Sequence, residues 1–101
     1  MIYTENTVFF EWDTIKNIAN IKKHGISFEE AILVFYDWNC HIDIDLKHSH
    51  SEDREYALGE TESGLIYVVY TIRLAPLRNR VISARRATKN ERKQYEKSKR
   101  V

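Results

Sequence analysis

The residues best suited to chemistry in this chain are two adjacent arginines that precede a predicted helix. Arg85 and Arg86 end a strand-like segment, and Thr88 with Glu91 forms the T-x-x-E capping box that opens the helix. A helix N-terminus attracts anions through its free amides and its dipole. Because the planar guanidinium group matches phosphate oxygens, the pattern predicts a phosphate site. The residues alone also allow a simpler interpretation, in which one arginine packs on aromatic rings and the other is solvated.

A second candidate lies at the end of the first predicted helix, where Lys23 and His24 precede Gly25. A histidine with an ordinary pKa near ~6.5 can exchange a proton at neutral pH, and the lysine can steady a negative charge beside it. The alternative is structural, since cations at this position also stabilise the negative end of a helix dipole.

Histidines could also suggest a metal site, because His48 and His50 lie in a polar segment among several aspartates. The His-x-His spacing on an irregular loop lacks the ligand patterns of structural zinc. We therefore expect a solvated loop or an occasional RNA contact, with no metal and no cofactor.

Three tyrosines could contact a ligand. Tyr67 and Tyr70 belong to one predicted strand, and their spacing of three residues puts them on opposite faces. One of them should be buried, and the other is free to meet a ligand. Tyr95 shares a helix face with Glu91, next to Arg92, and that face could be core, solvated rim or active site.

Basic charge is concentrated in the last quarter of the chain. Residues 78–101 carry 10 Lys and Arg against two acidic residues, a local balance of +8; the chain as a whole carries +1, which leaves −7 for residues 1–77. Such a separation indicates a cationic face for a polyanion, with nucleic acid the obvious candidate. Charge alone does not distinguish binding from cleavage.

Composition indicates one domain that covers residues 1–101. The chain has 101 residues, of which 43% are hydrophobic, enough for a single core. A lone cysteine, Cys40, excludes an internal disulfide and fits a reducing compartment. The sequence lacks signal-peptide features and a membrane-length apolar run, so we expect a cytoplasmic protein with no membrane contact.

The elements that must position these residues can be predicted from local signals. A short strand, 7–11, precedes a helix that Asp13 caps and Gly25 ends, with Ile15, Ile18 and Ala19 at helical spacing. The S-x-x-E box at residues 27–30 opens a second helix, whose buried stripe continues to residue 35.

The second half of the chain follows a period of two. Residues 41–46 alternate apolar and acidic, which predicts isoleucines inward and acids outward. Strands at 54–59, 65–72 and 80–86 follow, and a charged helix covers residues 89–99. The fold class is therefore α+β, with an antiparallel sheet, two N-terminal helices, one C-terminal helix and the order β-α-α-β-β-β-β-α.

With these elements in place, the sequence resembles the BrnT toxin family over roughly residues 9–96. The blocks that carry the resemblance are Phe10-Glu11-Trp12-Asp13, Lys23-His24-Gly25, Ser27-Phe28-Glu29-Glu30-Ala31, Arg54 with Ala57-Leu58-Gly59, and Ile82 to Thr88 with Glu91, Arg92 and Tyr95. The chain departs from the family at Thr14, where a proline often follows the aspartate; proline there would only help to start the helix.

The resemblance implies a RelE-like ribonuclease toxin of a bacterial type II toxin–antitoxin pair. It implies metal-independent endoribonuclease activity that arrests translation in the bacterial cytoplasm. The expected partners are an RNA substrate and a BrnA-type ribbon-helix-helix antitoxin, with two toxins around an antitoxin dimer.

Under that resemblance, the candidate site residues take roles. The catalytic candidates are Lys23, His24, Arg54 and Arg85, which would supply cations for the phosphate and a proton donor or acceptor. The RNA-binding candidates are Arg86, Glu91, Arg92, Tyr95 and Tyr70. Two alternatives stay open: a non-catalytic nucleic-acid-binding module, and a protein whose basic face mainly docks an antitoxin.

Overall fold

A six-stranded sheet with helices on both faces forms the framework of the protein. The structure is a computed structural model that describes residues 2–5, 8–46 and 54–99. The elements are β1 Ile2–Glu5, β2 Val8–Glu11, α1 Thr14–His24, α2 Phe28–Ala31, a 3₁₀ helix Ile32–Tyr36, β3 His41–Ile44, β4 Glu55–Thr61, β5 Gly64–Arg73, β6 Arg78–Arg86 and α3 Lys89–Ser98.

The strand order in the sheet is β1-β2-β6-β5-β4-β3. The predicted α+β class and element order are confirmed, with β1 as an additional first strand that pairs with β2. Strands β3 to β6 form the predicted antiparallel meander, but β2 pairs with β6 in parallel, so the sheet is mixed. Glu11 reinforces this short parallel pairing through ion pairs with Arg78 at 2.5 Å and Arg80 at 2.7 Å.

Each face of the sheet has its own core. Helices α1 and α2 and the 3₁₀ helix cover one face, where Trp12, Phe28 and Ile66 belong to the larger cluster of buried side chains. Helix α3 covers part of the opposite face, which we call the α3 face, and buries Tyr95 against Leu58 and its neighbours there. Within the described residues, the helices are too short and too polar to cross a membrane.

Helix α1 has the predicted ends, and the side chains that it buries are polar. Asp13 caps its first turn, and Gly25 ends it with a φ of 72°, a left-handed conformation that glycine adopts readily. Ile15 and Ile18, which stand at helical spacing, are exposed, and Asn17 and Asn20 are the residues that the helix buries. These asparagines can be buried because they find hydrogen-bond partners inside the protein.

The second predicted helix divides into two parts. Its capping box is confirmed: the Glu30 amide donates to the Ser27 hydroxyl at 3.0 Å, and the Ser27 amide donates to the Glu30 carboxylate at 3.1 Å. From Ile32 onward the helix tightens to 3₁₀ geometry. Val34 then lies against Gly59 of β4, where an added Cβ would come within 2.8 Å of the Val34 carbonyl oxygen.

Strand β3 also differs from the expectation. Ile42 and Ile44 are 49% and 57% exposed, whereas Asp45, predicted to face outward, is 2% exposed. The pattern misleads because β3 is an edge strand. The face that carries Ile42 and Ile44 is therefore only partly covered by the rest of the protein.

Hydrogen bonds fix the first two turns of helix α3, first at its N-terminus and then at Tyr95. The Glu91 amide donates to the Thr88 hydroxyl at 3.1 Å and the Thr88 amide donates to the Glu91 carboxylate at 2.9 Å, which confirms the second capping box. One turn further, the buried Tyr95 hydroxyl donates a short hydrogen bond to Asp37, just after the 3₁₀ helix. The helix N-terminus is thereby held in a defined position beside the end of β6.

Candidate active site

Arg85 occupies the α3 face at the end of β6, with its guanidinium group held on two sides. Nη1 and Nη2 donate to the two carboxylate oxygens of Glu91 at 2.7 and 2.9 Å. The guanidinium carbon lies 4.3 Å from the centroid of the Tyr67 ring, a cation–π contact. The hydrogen bonds that Arg85 donates to Glu91 raise the pKa of Arg85, so the arginine is charged at every physiological pH.

Tyr67 belongs to a row of planar side chains that crosses three strands of the α3 face. The Tyr67 and Tyr56 rings stack with centroids 4.7 Å apart, and Tyr56 meets His41 at 5.9 Å. Burial raises the pKa of both phenols. They are therefore neutral near pH 7, so they can act as a rigid support for Arg85 but not as proton acceptors.

The end of α1 carries the second group of candidate residues. Lys22, Lys23 and His24 form its last turn, and Arg86 Nη1 donates to the His24 carbonyl oxygen at 3.2 Å. The pKa of His24 is lowered by burial first and then by the charges of Lys23 and Arg85. The imidazole is consequently neutral at pH 7 and lies within electrostatic reach of Arg85.

A polar side chain inside the protein connects these two groups. The Asn20 amide nitrogen donates to the carbonyl oxygens of Ile26 at 2.9 Å and Ala84 at 2.8 Å, and its oxygen accepts from the Ala84 amide at 3.2 Å. Because β2 pairs with β6 only as far as Arg80, this side chain takes the place of a neighbouring strand at Ala84. Helix α1 is thus bound to β6 one residue before Arg85.

Arg54 approaches the same face from β4. Its carbonyl oxygen accepts from the Asp45 amide at 2.8 Å, and strand alternation puts both residues on the side that carries Tyr56. Asp45 is buried, and its charge contributes, after burial, to the raised pKa of Tyr67. Asp45 and Tyr56 were not among the predicted site residues, and Tyr67 was considered only as an alternative to Tyr70. The strand register places Tyr67 opposite Arg85.

The predicted RNA contacts lie in different environments. Arg92 is exposed and forms long ion pairs with Glu60 and Glu96, at 3.8 and 3.9 Å. Tyr95 is buried on the side of α3 that packs against the sheet. Tyr70 is 3% exposed on the face opposite Arg85, where its hydroxyl donates to Glu55 at 2.8 Å, so the structure does not bring it to this cluster.

Metal ligands do not assemble in the part of the chain that the structure describes: no group of three or more His, Cys, Asp or Glu side chains there could hold an ion. His48 and His50, the histidines of the His-x-His segment, lie outside the described residues.

Comparison with known proteins gives one family. A family model described as "Ribonuclease toxin, BrnT, of type II toxin-antitoxin system" matches residues 12–91 of the 101. A search of the curated proteins finds no match. The matched range contains Arg85, Glu91, Arg54 and the Lys23–His24 pair.

Proposed function

The chain belongs to the BrnT family of ribonuclease toxins of type II toxin–antitoxin systems, and from this premise we propose that it is an endoribonuclease that needs no metal ion. In the proposed reaction the 2′-hydroxyl of the RNA loses its proton and attacks the adjacent phosphorus. The bond from phosphorus to the 5′-oxygen breaks, and that oxygen takes up a proton. The products are a 2′,3′-cyclic phosphate and a 5′-hydroxyl end.

The charge that builds up on the phosphoryl oxygens needs cations fixed in advance. We assign this role to Arg85, supported by Lys23 and Arg54. Among the described contacts, Arg85 donates three of its five N–H bonds to Glu91 and the Arg86 carbonyl. The other two can be donated to a phosphate oxygen.

The proton transfer is assigned to His24. Because its pKa is lowered, the imidazole is neutral at pH 7 and is able to accept the 2′-hydroxyl proton. Once protonated, it can return a proton to the 5′-oxygen. Arg86 and Arg92 contribute charge for binding RNA, and Glu91 orients Arg85.

The observation that carries the proposal is the double restraint on Arg85. A guanidinium group clamped by a carboxylate and a tyrosine ring loses little freedom when a phosphate arrives, which is the arrangement that electrostatic catalysis requires. Tyr67 and Tyr56 replace Tyr70 and Tyr95 as the aromatic members of the proposed site. Tyr67 and Tyr70 are both buried, although one of them was expected to be free to meet a ligand, and Tyr95 is buried as well. Of these three tyrosines, Tyr67 is the one that contacts Arg85.

For the cell, we propose that cleavage arrests translation in the bacterial cytoplasm. The family assignment provides an antitoxin partner; we propose that this partner is a BrnA-type ribbon-helix-helix protein, with two toxins bound to one antitoxin dimer.

The test is cleavage of a defined RNA by the purified toxin in the presence of EDTA. We expect cleavage to persist, the new ends to be 2′,3′-cyclic phosphate and 5′-hydroxyl, and a 2′-deoxy substitution at the cut site to block it. Cleavage that EDTA abolishes and Mg²⁺ restores, or products with a 5′-phosphate, would contradict the mechanism.

A further inference from the structure

Helix α1 presents its apolar side chains to solvent. Ile15, Ile18 and Ile21 are 78%, 51% and 44% exposed. Ile15, Ile18 and Lys22 follow one another at the spacing of a single helix face, and Ala19 lies between them. We call the three isoleucines with Ala19 the α1 stripe. A face of this kind normally packs against another element.

The orientation of the stripe is fixed from inside the protein. The Asn17 oxygen accepts from the Phe28 amide at 2.8 Å, its nitrogen donates to Glu29 at 2.8 Å, and Asn20 holds both peptide groups of Ala84. Rotating α1 to bury the isoleucines would leave those backbone groups without partners, at a cost of about 1–3 kcal/mol for each buried group. The stripe therefore faces outward as a stable feature of the fold.

The charge of helix α1 indicates which kind of partner fits on the α1 stripe. From Thr14 to His24 the helix carries Lys16, Lys22 and Lys23 and no acidic residue. A second copy of the chain would bring these lysines against their equivalents, and like charges across an interface oppose association. RNA would be drawn to the lysines but would leave the isoleucines in water. The complementary occupant is an amphipathic helix whose apolar stripe is bordered by Asp and Glu.

We infer that the α1 stripe is the docking surface for an acidic amphipathic helix of the antitoxin. This inference rests on the proposed function and specifies the partner's surface. The stripe is continuous with the proposed site, since α1 ends at Lys23 and His24, beside Arg86. A helix lying along α1 thus ends over His24, the residue assigned to proton transfer. Occupation of the stripe therefore excludes RNA without any change in the toxin's fold.

The experiment separates toxicity from neutralisation in bacteria. The toxin carrying Ile15→Asp and Ile18→Asp is induced with or without the full-length protein encoded by the gene adjoining the toxin gene. We expect the double variant to arrest growth as the wild type does, and the co-expressed protein to relieve the wild type but not the variant. Leu74→Asp is the matched control, because Leu74 is 76% exposed on the turn after β5; that variant should be toxic and relieved.

Affinity provides the second readout, with toxins made non-toxic by Arg85→Ala. We expect the double variant to bind the adjoining protein about tenfold or more weakly than the control, the scale expected for loss of central apolar contacts. Lys22→Glu should also weaken binding, and added salt should reduce its effect.

Several outcomes overturn the inference, and they differ from failure of the proposed function. If the double variant is relieved normally, or if it folds but loses toxicity, the stripe is not the docking surface although the ribonuclease assignment stands. If the wild-type toxin alone sediments as a dimer that the double variant abolishes, the occupant is a second copy. If the wild type neither arrests growth nor cleaves RNA, the proposed function fails and the inference fails with it.

Discussion

The side-chain amide of Asn20 in α1 forms hydrogen bonds to both the amide and the carbonyl of Ala84 in β6, 64 residues away, at 3.2 and 2.8 Å. Ala84 immediately precedes Arg85. One buried amide therefore sets the position of the last turn of α1, with Lys23 and His24, relative to the arginine that we assign to the phosphate.

Replacement of Asn20 by alanine should destabilise the protein by about 2–5 kcal/mol, because it leaves the Ala84 peptide groups and the Ile26 carbonyl without their partner. Urea denaturation followed by tryptophan fluorescence measures this directly. Lys22→Ala, on the exposed side of the same helix, should change the free energy of unfolding by less than about 0.5 kcal/mol. Equal effects of the two substitutions would mean that the Asn20 contacts contribute little.

Arg85→Ala should lower the cleavage rate by about 10²-fold or more, by analogy with the loss of one preorganised oxyanion donor. Growth arrest should disappear while thermal melting still shows a folded protein. Arg78→Ala is the matched control, since Arg78 is also an ion-paired arginine on β6 but at the opposite end of the strand. Arg86→Ala should have a smaller effect than Arg85→Ala. A folded Arg85→Ala toxin that still arrests growth would refute the assignment.

Tyr67→Leu should reduce kcat, whereas Tyr67→Phe should keep it near the wild-type value. Phenylalanine preserves the ring that supports the Arg85 guanidinium at 4.3 Å and stacks on Tyr56 at 4.7 Å, and leucine removes it. Single-turnover kinetics at saturating RNA measures the effect on the chemical step. Equal rates for the two variants, each verified as folded, would show that the ring does not position Arg85.

The pH dependence of cleavage should have an acidic limb that belongs to His24. Burial, Lys23 and Arg85 lower the His24 pKa below 6.5 in the folded protein. The cleavage rate should therefore rise as the pH passes this lowered pKa, and it should level off by about pH 7. NMR titration of the imidazole checks the cause. Arg85→Ala should raise the His24 pKa, and Arg78→Ala should leave it unchanged. A His24 pKa at or above the free-histidine value would contradict the arrangement.

Acid should destabilise the fold through Asp37. Burial opposes its ionisation, but hydrogen bonds from the Glu60 amide and the Tyr95 hydroxyl outweigh burial and lower its pKa. A carboxyl whose pKa is lowered in the folded state adds stability above its unfolded pKa of about 3.9, and that stability is lost as the pH falls through the folded value. Tyr95→Phe should cost about 1–3 kcal/mol at pH 7 and less at pH 3. Unfolding curves at both pH values test this.

The sequence predicted the helix ends correctly because capping is local. Asp13, Gly25 and Thr88 each act within a few residues of the backbone that they cap, so their chemistry can be read without knowledge of the fold. The antiparallel meander was predictable for the same reason, since strand period and turn residues are neighbours in the chain.

The orientation of α1 could not be predicted, because it depends on distant partners. Asparagines are ordinarily assigned to a solvated face, and the pattern gives no indication that Asn20 meets a backbone 64 residues away. Packing of one arginine on aromatic rings was among the interpretations, but the ring that Arg85 meets could not be identified, for a related reason. Tyr67 and Tyr70 are equivalent in sequence, and only the register between β5 and β6, with its shift at Val69/Tyr70, decides which one meets the arginine.

Among the described strands β3 is the last of the sheet, and this edge bears on how the protein behaves at high concentration. Ile42 and Ile44 make this edge apolar, and an unpaired apolar edge is a template on which strands from other molecules can add. The Asp43 carboxylate accepts the Ile44 amide at 2.8 Å, which occupies the donor that an incoming strand would need. Its charge also repels the same residue of an approaching copy. The acidic residues that alternate along β3 thus oppose sheet extension between molecules.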